Sequence, residues 1–458
     1  MNMELKGIKA LVVGLGRTGE AVCEFLLQHG AQVKISEKSP PEKLGSRISF
    51  WKDKGVELEA GNHQLQSFLD ADLIIPSPGI PYIPELNEAR KRGLEILPEI
   101  ELAYRFIRGK IVGITGTNGK STTATLIHKI LKDGGLPSHL AGNIGTPLIR
   151  FAEKSRPEDL FVTELSSFQL RYIDQFRASL SLFLNISADH LDWHPDFEDY
   201  YQSKKNLLLK QTKADTAILN RDQPRVWSLR RLGNFKVYAF SQKGKVSPGS
   251  WIQDNWIILA NEIQQKLMQT TETSLFGIHN RENIMASALA GHILGIPSSS
   301  IKKSIVQFKG LEHRLEKAGE LGQVVFYNDS KATNVDASLK SIQSFSRPVV
   351  LILGGRDKEG DFNPLIKPIR TKVKAVVLIG EAADKIQKSL NGIVPMTRAS
   401  DMKEAVHMAY SAASPRGVVL LAPGCTSFDM FQNFEERGDV FKEEVQDLIQ
   451  RMGQERDK

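Results

Sequence analysis

Short apolar runs that close on glycine, each followed by apolar positions at helical spacing, recur along this chain. Residues 8–14, Ile-Lys-Ala-Leu-Val-Val-Gly, read as a buried strand, the segment from Arg17 to Gly30 as a helix, and Gln32 to Glu37 as the next strand. Ala71 to Ile80 reads as a strand ending in a Pro/Gly loop, and a new strand starts at Lys110, which puts a boundary near residue 106. Beyond it, strands at Phe161–Glu164, Leu182–Ile186 and Thr216–Asn220 alternate with helices. The more polar stretch 241–275 predicts short antiparallel strands. After Gly310 the pattern restarts, with apolar strands at Val349–Leu353, Val373–Ile379 and Val418–Leu421. Three successive α/β domains follow, over residues 1–106, 107–311 and 312–458.

Composition narrows the class. At 458 residues, 41% hydrophobic and 25% charged, the chain is too long for one ordinary core and has the balance of a globular protein. Basic residues exceed acidic ones by 60 to 53 and are spread out, which suits phosphorylated, acidic ligands better than nucleic acid. Cys23 and Cys425 lie far apart, so neither a disulfide framework nor a Cys/His metal spacing is available, and a reducing compartment is expected. The start of the chain lacks the apolar segment of a signal peptide, and no apolar run is long enough to span a bilayer. The expectation is a cytoplasmic protein without membrane insertion.

Candidate chemistry centres on Ile111-Val-Gly-Ile-Thr-Gly-Thr-Asn-Gly-Lys-Ser-Thr-Thr123, where a strand runs through glycines into a lysine and hydroxyls before a helix. Backbone N–H groups and the helix N-terminus there suit an anion, Lys120 suits terminal phosphates, and Ser121 or Thr122 suits Mg²⁺. The strict P-loop spacing needs glycine at 114, where this chain has Ile114. Gly14, Gly16 and Gly19 have dinucleotide-fingerprint spacing, with Glu37 near the usual acidic position. Glu164 ends one strand, while Asp189, His190 and Asp192 follow another. They read as Mg²⁺ ligands, or as a helix cap and a loop histidine. Lys204 and Lys205 read as surface lysines on a helix after Asp196. Asn280 and Asn283 read as adenine-reading amides or as caps, and His313-Arg314 as a turn whose arginine could meet phosphate. Asn328-Asp-Ser-Lys-Ala-Thr-Asn334 gathers carboxylate, cation and hydroxyls on one loop.

Together these segments resemble the Mur ligase family, ATP-dependent amide-forming enzymes of bacterial peptidoglycan precursor synthesis. The resemblance spans essentially the whole chain. It rests on Gly14-Leu-Gly-Arg-Thr-Gly19, Ser77-Pro-Gly-Ile80, Thr115-Gly-Thr-Asn-Gly-Lys-Ser-Thr122, Glu164-Leu-Ser-Ser-Phe-Gln169 and Asp189-His-Leu-Asp192. It continues through Asn328–Asn334, Gly354-Gly-Arg-Asp-Lys358 and Ala422-Pro-Gly-Cys-Thr-Ser-Phe-Asp429. The loop from Asn328 and the last segment point, within the family, to addition of D-glutamate.

The resemblance implies a Rossmann-like first domain holding the UDP part of UDP-N-acetylmuramoyl-L-alanine, lined by Arg17, Thr18 and Ser77, with Asn143 also at a substrate-contacting position. It implies a central P-loop ATPase-type parallel-sheet domain whose Gly116, Thr117, Asn118, Gly119, Lys120, Ser121 and Thr122 hold ATP. A Rossmann-like C-terminal domain would bind D-glutamate through Lys331, Thr333, Lys358, Ser427 and Phe434. Asn280 and Asn283 match adenine-side positions, and Arg314 and Asp329 match nucleotide contacts from the third domain. Ser121, Glu164, His190 and Lys204 would hold Mg²⁺, two ions in all, with Lys204 carbamylated by CO₂. Lys120, Lys204, His190 and Arg314 form the implied catalytic set, and the protein is expected to act as a monomer without nucleic acid. Two departures stand out: Trp193 replaces a usual arginine, and Lys38-Ser39 replaces a hydroxyl-arginine pair of some relatives.

The implied chemistry is carboxylate activation by phosphoryl transfer, then attack of an amine on the acyl phosphate. Because Arg314 and Asp329 fall on a different domain from Lys120, the third domain is expected to close onto the central one. A sister ligase or folyl-polyglutamate synthetase shares the phosphate loop but not the third-domain segments. A Rossmann dehydrogenase accounts for Gly14 to Glu37 alone, and a nucleotide switch leaves the Asp329–Thr333 cluster unexplained.

Overall fold

The computed structural model describes residues 3–80, 83–191, 193–261, 263–275, 277–357 and 360–456. The chain forms two compact units. Met1–Ala188, Trp193–Gln269 and Asn283–Ile305 make the first; Asp189–Asp192, Thr270–Glu282 and Val306–Lys458 make the second.

The first unit contains two sheets. Strands β1 (Lys9–Val13), β2 (Gln32–Glu37), β3 (Glu57–Ala60), β4 (Leu73–Pro76) and β5 (Glu95–Ile96) pair in parallel in the order β3-β2-β1-β4-β5. The strand order reverses beside β1, so the loops after β1 and β4 flank the crevice where open α/β sheets take ligands. The helix Arg17–Gln28 buries Ala21, Val22, Cys23, Phe25 and Leu26. Gly19 is what lets it start so close: a Cβ there would lie 2.1 Å from the Gly14 carbonyl oxygen.

The second sheet comprises β6 (Lys110–Thr115), β7 (Ser138–Gly142), β8 (Leu160–Glu164), β9 (Leu180–Phe183), β10 (Thr216–Asn220), β11 (Lys236–Ser241), β12 (Gly249–Gln253), β13 (Trp256–Ala260) and β14 (Gln264–Gln269). Its order is β14-β13-β12-β11-β10-β9-β6-β8-β7, parallel from β7 to β12 and antiparallel across β12-β13-β14. The polar stretch therefore does form short antiparallel strands. Strand β9 ends before the expected Ile186 because Asn185 turns its side chain onto the loop after β6, with Nδ2 donating to the Asn118 carbonyl at 3.0 Å.

The two sheets share one apolar cluster. Ile100, Leu102 and Ala103, from the helix Glu99–Tyr104, belong to it together with Ile149, Ala152 and Phe176. Each fully buried Leu, Ile or Phe side chain among them contributes about 1.5–3 kcal/mol. Buried carboxylates add direction: Glu101 accepts N–H bonds from Asp174, Gln175 and Phe176, and Glu99 accepts one from Ile149 at 2.7 Å.

The second unit carries β15 (Glu316–Leu321), β16 (Gln323–Asn328), β17 (Val349–Gly354), β18 (Val373–Ile379), β19 (Met396–Arg398) and β20 (Arg416–Leu421), in the order β15-β16-β20-β17-β18-β19. All neighbours are parallel except the β15-β16 hairpin. That hairpin and the closing helix Phe434–Arg456 have no counterpart in the sequence reading. β20 lies between β16 and β17, so the loops leaving these three strands emerge side by side.

Candidate active site

The phosphate loop leaves β6 and enters the helix Lys120–Asp133, whose cap Gly119 has a left-handed backbone, φ 86°. A Cβ at Gly119 would lie 2.3 Å from Asn283 Oδ1. The neighbouring strand end latches the loop. Asn118 N–H donates to Asn185 Oδ1 at 2.9 Å, Thr117 N–H donates to the Asn185 carbonyl, and Thr117 Oγ1 donates to the Ser187 carbonyl while accepting from Tyr200 OH. Lys120 Nζ is folded back on the carbonyls of Gly116 and Thr117, at 2.9 and 2.8 Å. Ser121 and Thr122 are buried in the first turn. Ile114, where a strict P-loop has glycine, is a fully buried strand residue paired with Glu164, ahead of the turn, so it does not occupy the cradle.

Glu164 ends β8 and is 2% exposed. It is not the cap of the following helix, since Ser166 and Gln169 form a capping box there. Oε1 of Glu164 accepts from Asn143 Nδ2 at 2.9 Å, and Oε2 is buried without a hydrogen-bond partner. Lys204, expected at the surface, is 1% exposed. It sits on the inner stripe of the helix Phe197–Leu209 with Tyr200, Leu207 and Leu208, and its Nζ donates to the Gly116 carbonyl at 3.0 Å. A lysine four residues after one buried tyrosine and three before a leucine carries that signal in the sequence.

Arg17, Thr18, Ser77 and Asn143 line one cleft of about 500 Å³ with Gly14, Gly16, Gly145 and Pro147. Ser77 Oγ donates to the Gly14 carbonyl at 3.0 Å, and Arg17 Nη2 donates to the Gly145 carbonyl at 2.9 Å. Glu37 also reaches this cleft, but its two oxygens accept the N–H groups of Leu15 and Ser39 at 2.7 and 2.8 Å. Burial pushes its carboxyl up, and those backbone donors outweigh it, leaving Glu37 below the ordinary carboxylate range. The carboxylate thus braces its own glycine loop. Trp193 Nε1 donates to the Ile80 carbonyl at 2.9 Å and its ring lies 4.4 Å from that of Phe168, tying down the Ser77–Ile80 loop.

In the second unit, Asp329 follows β16 and is buried, with Leu315 N–H and Ser341 Oγ donating to its carboxylate. Burial pushes its pKa up to about 6 against the pull of Ser341 and Arg314. The turn carrying Arg314 is strained, with positive φ at His313 (61°) and Leu315 (45°). Lys331 Nζ stands 3.8 Å over the Phe434 ring, and Thr333 lies two residues on in the same loop. Ser427 is buried in the loop after β20. Lys358 lies outside the described residues. His190, with φ 55°, groups with this unit, as does Asn280, whereas Glu164, Lys204 and Asn283 belong to the first. Both asparagines fall inside the helix Ile278–Ile293, so neither is its cap. Among the described residues, no group of three or more His, Cys, Asp or Glu side chains gathers to hold a metal.

Family models match nearly end to end: a Mur ligase MurD-like N-terminal domain over residues 8–98, a Mur ligase middle domain over 114–291 and a Mur ligase glutamate ligase domain over 313–425. The chain belongs to the Mur ligase family. Among Mur ligases it is 42% identical to a UDP-N-acetylmuramoylalanine–D-glutamate ligase of Acidobacterium capsulatum, covering 97% of each chain. It is 40% identical to the enzyme of that name from Koribacter versatilis, over 98% of this chain and 99% of that one. A pseudomurein peptide ligase type C from Methanothermus fervidus has a similar fold, with TM-score 0.60 at 20% identity, over 96% of this chain and 100% of that one. Mur ligases are ATP-dependent and generally use Mg²⁺. Two residues of this Mur ligase escaped the sequence reading although they organise its loops. Asn185 latches the phosphate loop, and Arg437 is buried beneath Ser330 and Thr426. Arg437 had a legible signal, since it shares the helical stripe of Phe441, Val445 and Leu448.

Proposed function

We propose that this chain is an ATP-dependent ligase that adds D-glutamate to UDP-N-acetylmuramoyl-L-alanine in cytoplasmic peptidoglycan precursor synthesis, acting as a monomer. Asn143 carries the reading. It lines the first-domain cleft and holds Glu164 at the end of β8, so a nucleotide-sugar in that cleft and a triphosphate on the adjoining loop meet at one sheet edge. The same reading divides the chain at residues 106 and 311. No helix among the described residues is long and apolar enough to cross a membrane.

In this reading the L-alanine carboxylate attacks the γ-phosphate, the β–γ bond breaks and ADP leaves. Lys120 exchanges the Gly116 and Thr117 carbonyls for phosphate oxygens and neutralises the charge spreading over them, with Arg314 as the cation supplied by the third domain. Asn118, held by Asn185, keeps the loop N–H groups turned inward. The amine of D-glutamate, held by Lys331, Thr333, Lys358, Ser427 and Phe434, then attacks the acyl carbon and phosphate departs. Asn280 and Asn283 serve the nucleotide side together with Asp329.

The residues fit Mg²⁺. A buried carboxylate oxygen without a donor, as at Glu164 Oε2, is costly unless a cation or water meets it. Ser121, Glu164, His190 and Lys204 would hold two ions, which supply neutralisation of the phosphate charge when bound. Carbamylation of Lys204 would convert a cation against the phosphate loop into an anion, and labelled bicarbonate read by ¹³C NMR tests for it.

The deciding experiment is phosphate release from ATP with UDP-N-acetylmuramoyl-L-alanine, comparing D-glutamate, L-glutamate, L-lysine and no amino acid. Release with D-glutamate alone is expected. Release with another amino acid would replace the substrate, and ATP binding without release would replace the reaction.

A further inference from the structure

Arg437 is 1% exposed, and its guanidinium is spent on the oxygens of two loops. Nε donates to Ser330 Oγ at 2.9 Å and Nη2 to the Ser330 carbonyl at 2.8 Å. Nη1 donates to the carbonyls of Cys425 and Thr426 at 3.2 and 3.1 Å. Burial lowers its pKa to about 10, which leaves it charged at neutral pH. A third loop closes on the same point. A Cβ on Gly355 would lie 2.2 Å from the Thr426 carbonyl oxygen and 3.1 Å from Arg437 Nη1, and Arg356 and Thr426 exchange backbone hydrogen bonds at 3.0 Å. The helix turn bearing Arg437 is itself seated tightly, since a Cβ on Gly438 would meet His313 Nδ1 at 2.2 Å.

Ser330 lies between Asp329 and Lys331, and Thr426 directly precedes Ser427. The planar fork therefore sets the spacing between the loop carrying Lys331 and Thr333 and the loop carrying Ser427. We propose that Arg437 is the positioning residue of the amino-acid subsite, fixing these two loops in the register that holds a dicarboxylic amino acid at both ends. The inference rests on the D-glutamate reading above. A lysine keeps the charge but cannot reproduce donors aimed at both loops at once. The buried cation also gives the two loops a positive potential suited to a ligand with two carboxylates.

The test is steady-state kinetics of Arg437→Lys and Arg437→Ala with each substrate varied in turn. The expected result is a KM for D-glutamate raised about tenfold to a hundredfold, as for a binding group displaced by a fraction of an ångström to one ångström. The KM values for ATP and the nucleotide-sugar should stay within about twofold, and methylguanidinium should partly restore the D-glutamate KM of Arg437→Ala alone. A role confined to stability would lower the active fraction or move all three KM values together, and either result overturns the proposal. Should both variants fail to fold, Arg437→Gln, which keeps a planar amide donor but loses the fork that reaches both loops, decides: a selective rise in the D-glutamate KM supports the assignment and an unchanged one defeats it. Ser330→Ala is unsuitable because Ser330 Oγ also donates to the Phe434 carbonyl at 2.8 Å. Wild-type protein run alongside separates the failures. Absence of D-glutamate-dependent turnover there defeats the functional reading and this inference with it, whereas normal wild-type turnover with an unmoved KM in the variants defeats this inference alone.

Discussion

Asn143 and Glu164 are joined twice: the Asn143 N–H donates to the Glu164 carbonyl at 2.9 Å, and Asn143 Nδ2 donates to Glu164 Oε1 at the same distance. The chain reaches this geometry through Gly142, where φ is 91° and a Cβ would stand 2.3 Å from the Glu164 carbonyl oxygen. The contact turns Oε2 into the free face of the carboxylate and links the first-domain cleft to the edge of the phosphate-loop sheet.

Asn143→Ala should raise the Mg²⁺ concentration needed for half-maximal phosphate release by about 10–100-fold, the usual effect of losing a group that orients a metal ligand. Glu164→Gln, which keeps the Oε1 acceptor and loses the charge, should be more severe. A Mg²⁺ titration of each variant checks both, and an unchanged midpoint for Asn143→Ala would show that the amide does not orient a ligand.

Gly119→Ala should cost ATP affinity more than it costs the fold. The added methyl meets Asn283 Oδ1, and the left-handed backbone penalises any L side chain by about 1–2 kcal/mol. Calorimetric titration with an ATP analogue should show binding weakened at least about tenfold, the equivalent of ~1.4 kcal/mol. Adding Asn283→Ala should recover little, because it relieves the clash but leaves the backbone penalty and removes an amide assigned to the nucleotide side. Full recovery would place the whole effect in the side-chain contact.

Strand positions were legible because strands buried on both faces of a parallel sheet are continuous apolar runs. Thr216–Asn220 and Val373–Ile379 coincide with their expected bounds, as does Gln32–Glu37, which has only Val33 and Ile35 as apolar positions and was placed by the strand-helix-strand pattern around it. The β15-β16 hairpin was not legible, since Glu316–Leu321 is an edge strand of mixed polarity. The candidate residues that lie in motifs were picked out by their types and spacing, but the inward direction of charged side chains was not legible. Lys204 and Arg437 sit on apolar helical stripes; spacing alone left Lys204 at the surface and only the family resemblance brought it into the candidate set, while Arg437 was passed over.

Glu99 should make the protein less stable as pH rises. Full burial pushes its carboxyl up to about 7 from an ordinary 4.5, against N–H bonds from Ile149 and Leu148. The unfolded chain releases this proton from about pH 4.5 and the folded chain holds it to about 7, so the stabilisation is complete below 4.5 and lost across that window. The loss integrates to about 3 kcal/mol. Glu99→Gln lacks this titration, so its melting temperature should gain on wild type between pH 5 and about 7 and hold a level advantage above that. A constant offset across that range would show that Glu99 ionises normally in the fold.

Trp193 ties the cleft loop through an uncharged hydrogen bond, its Nε1 donating to the Ile80 carbonyl at 2.9 Å. Trp193→Phe keeps an aromatic ring beside Phe168 and removes the N–H together with part of the indole's bulk. A neutral hydrogen bond contributes about 0.5–1.5 kcal/mol, so the KM for the nucleotide-sugar should rise roughly two- to tenfold. Binding of the ATP analogue should be unaffected, because Ile80 belongs to the cleft loop and not to the phosphate loop. If the variant weakens both ligands equally, Trp193 acts on the unit as a whole. If it weakens neither, the Ser77–Ile80 loop holds its position without the Trp193 bond, through the Ser77 bonds to Gly14 and Val13 and the Ile80 N–H bond to the Ser77 carbonyl.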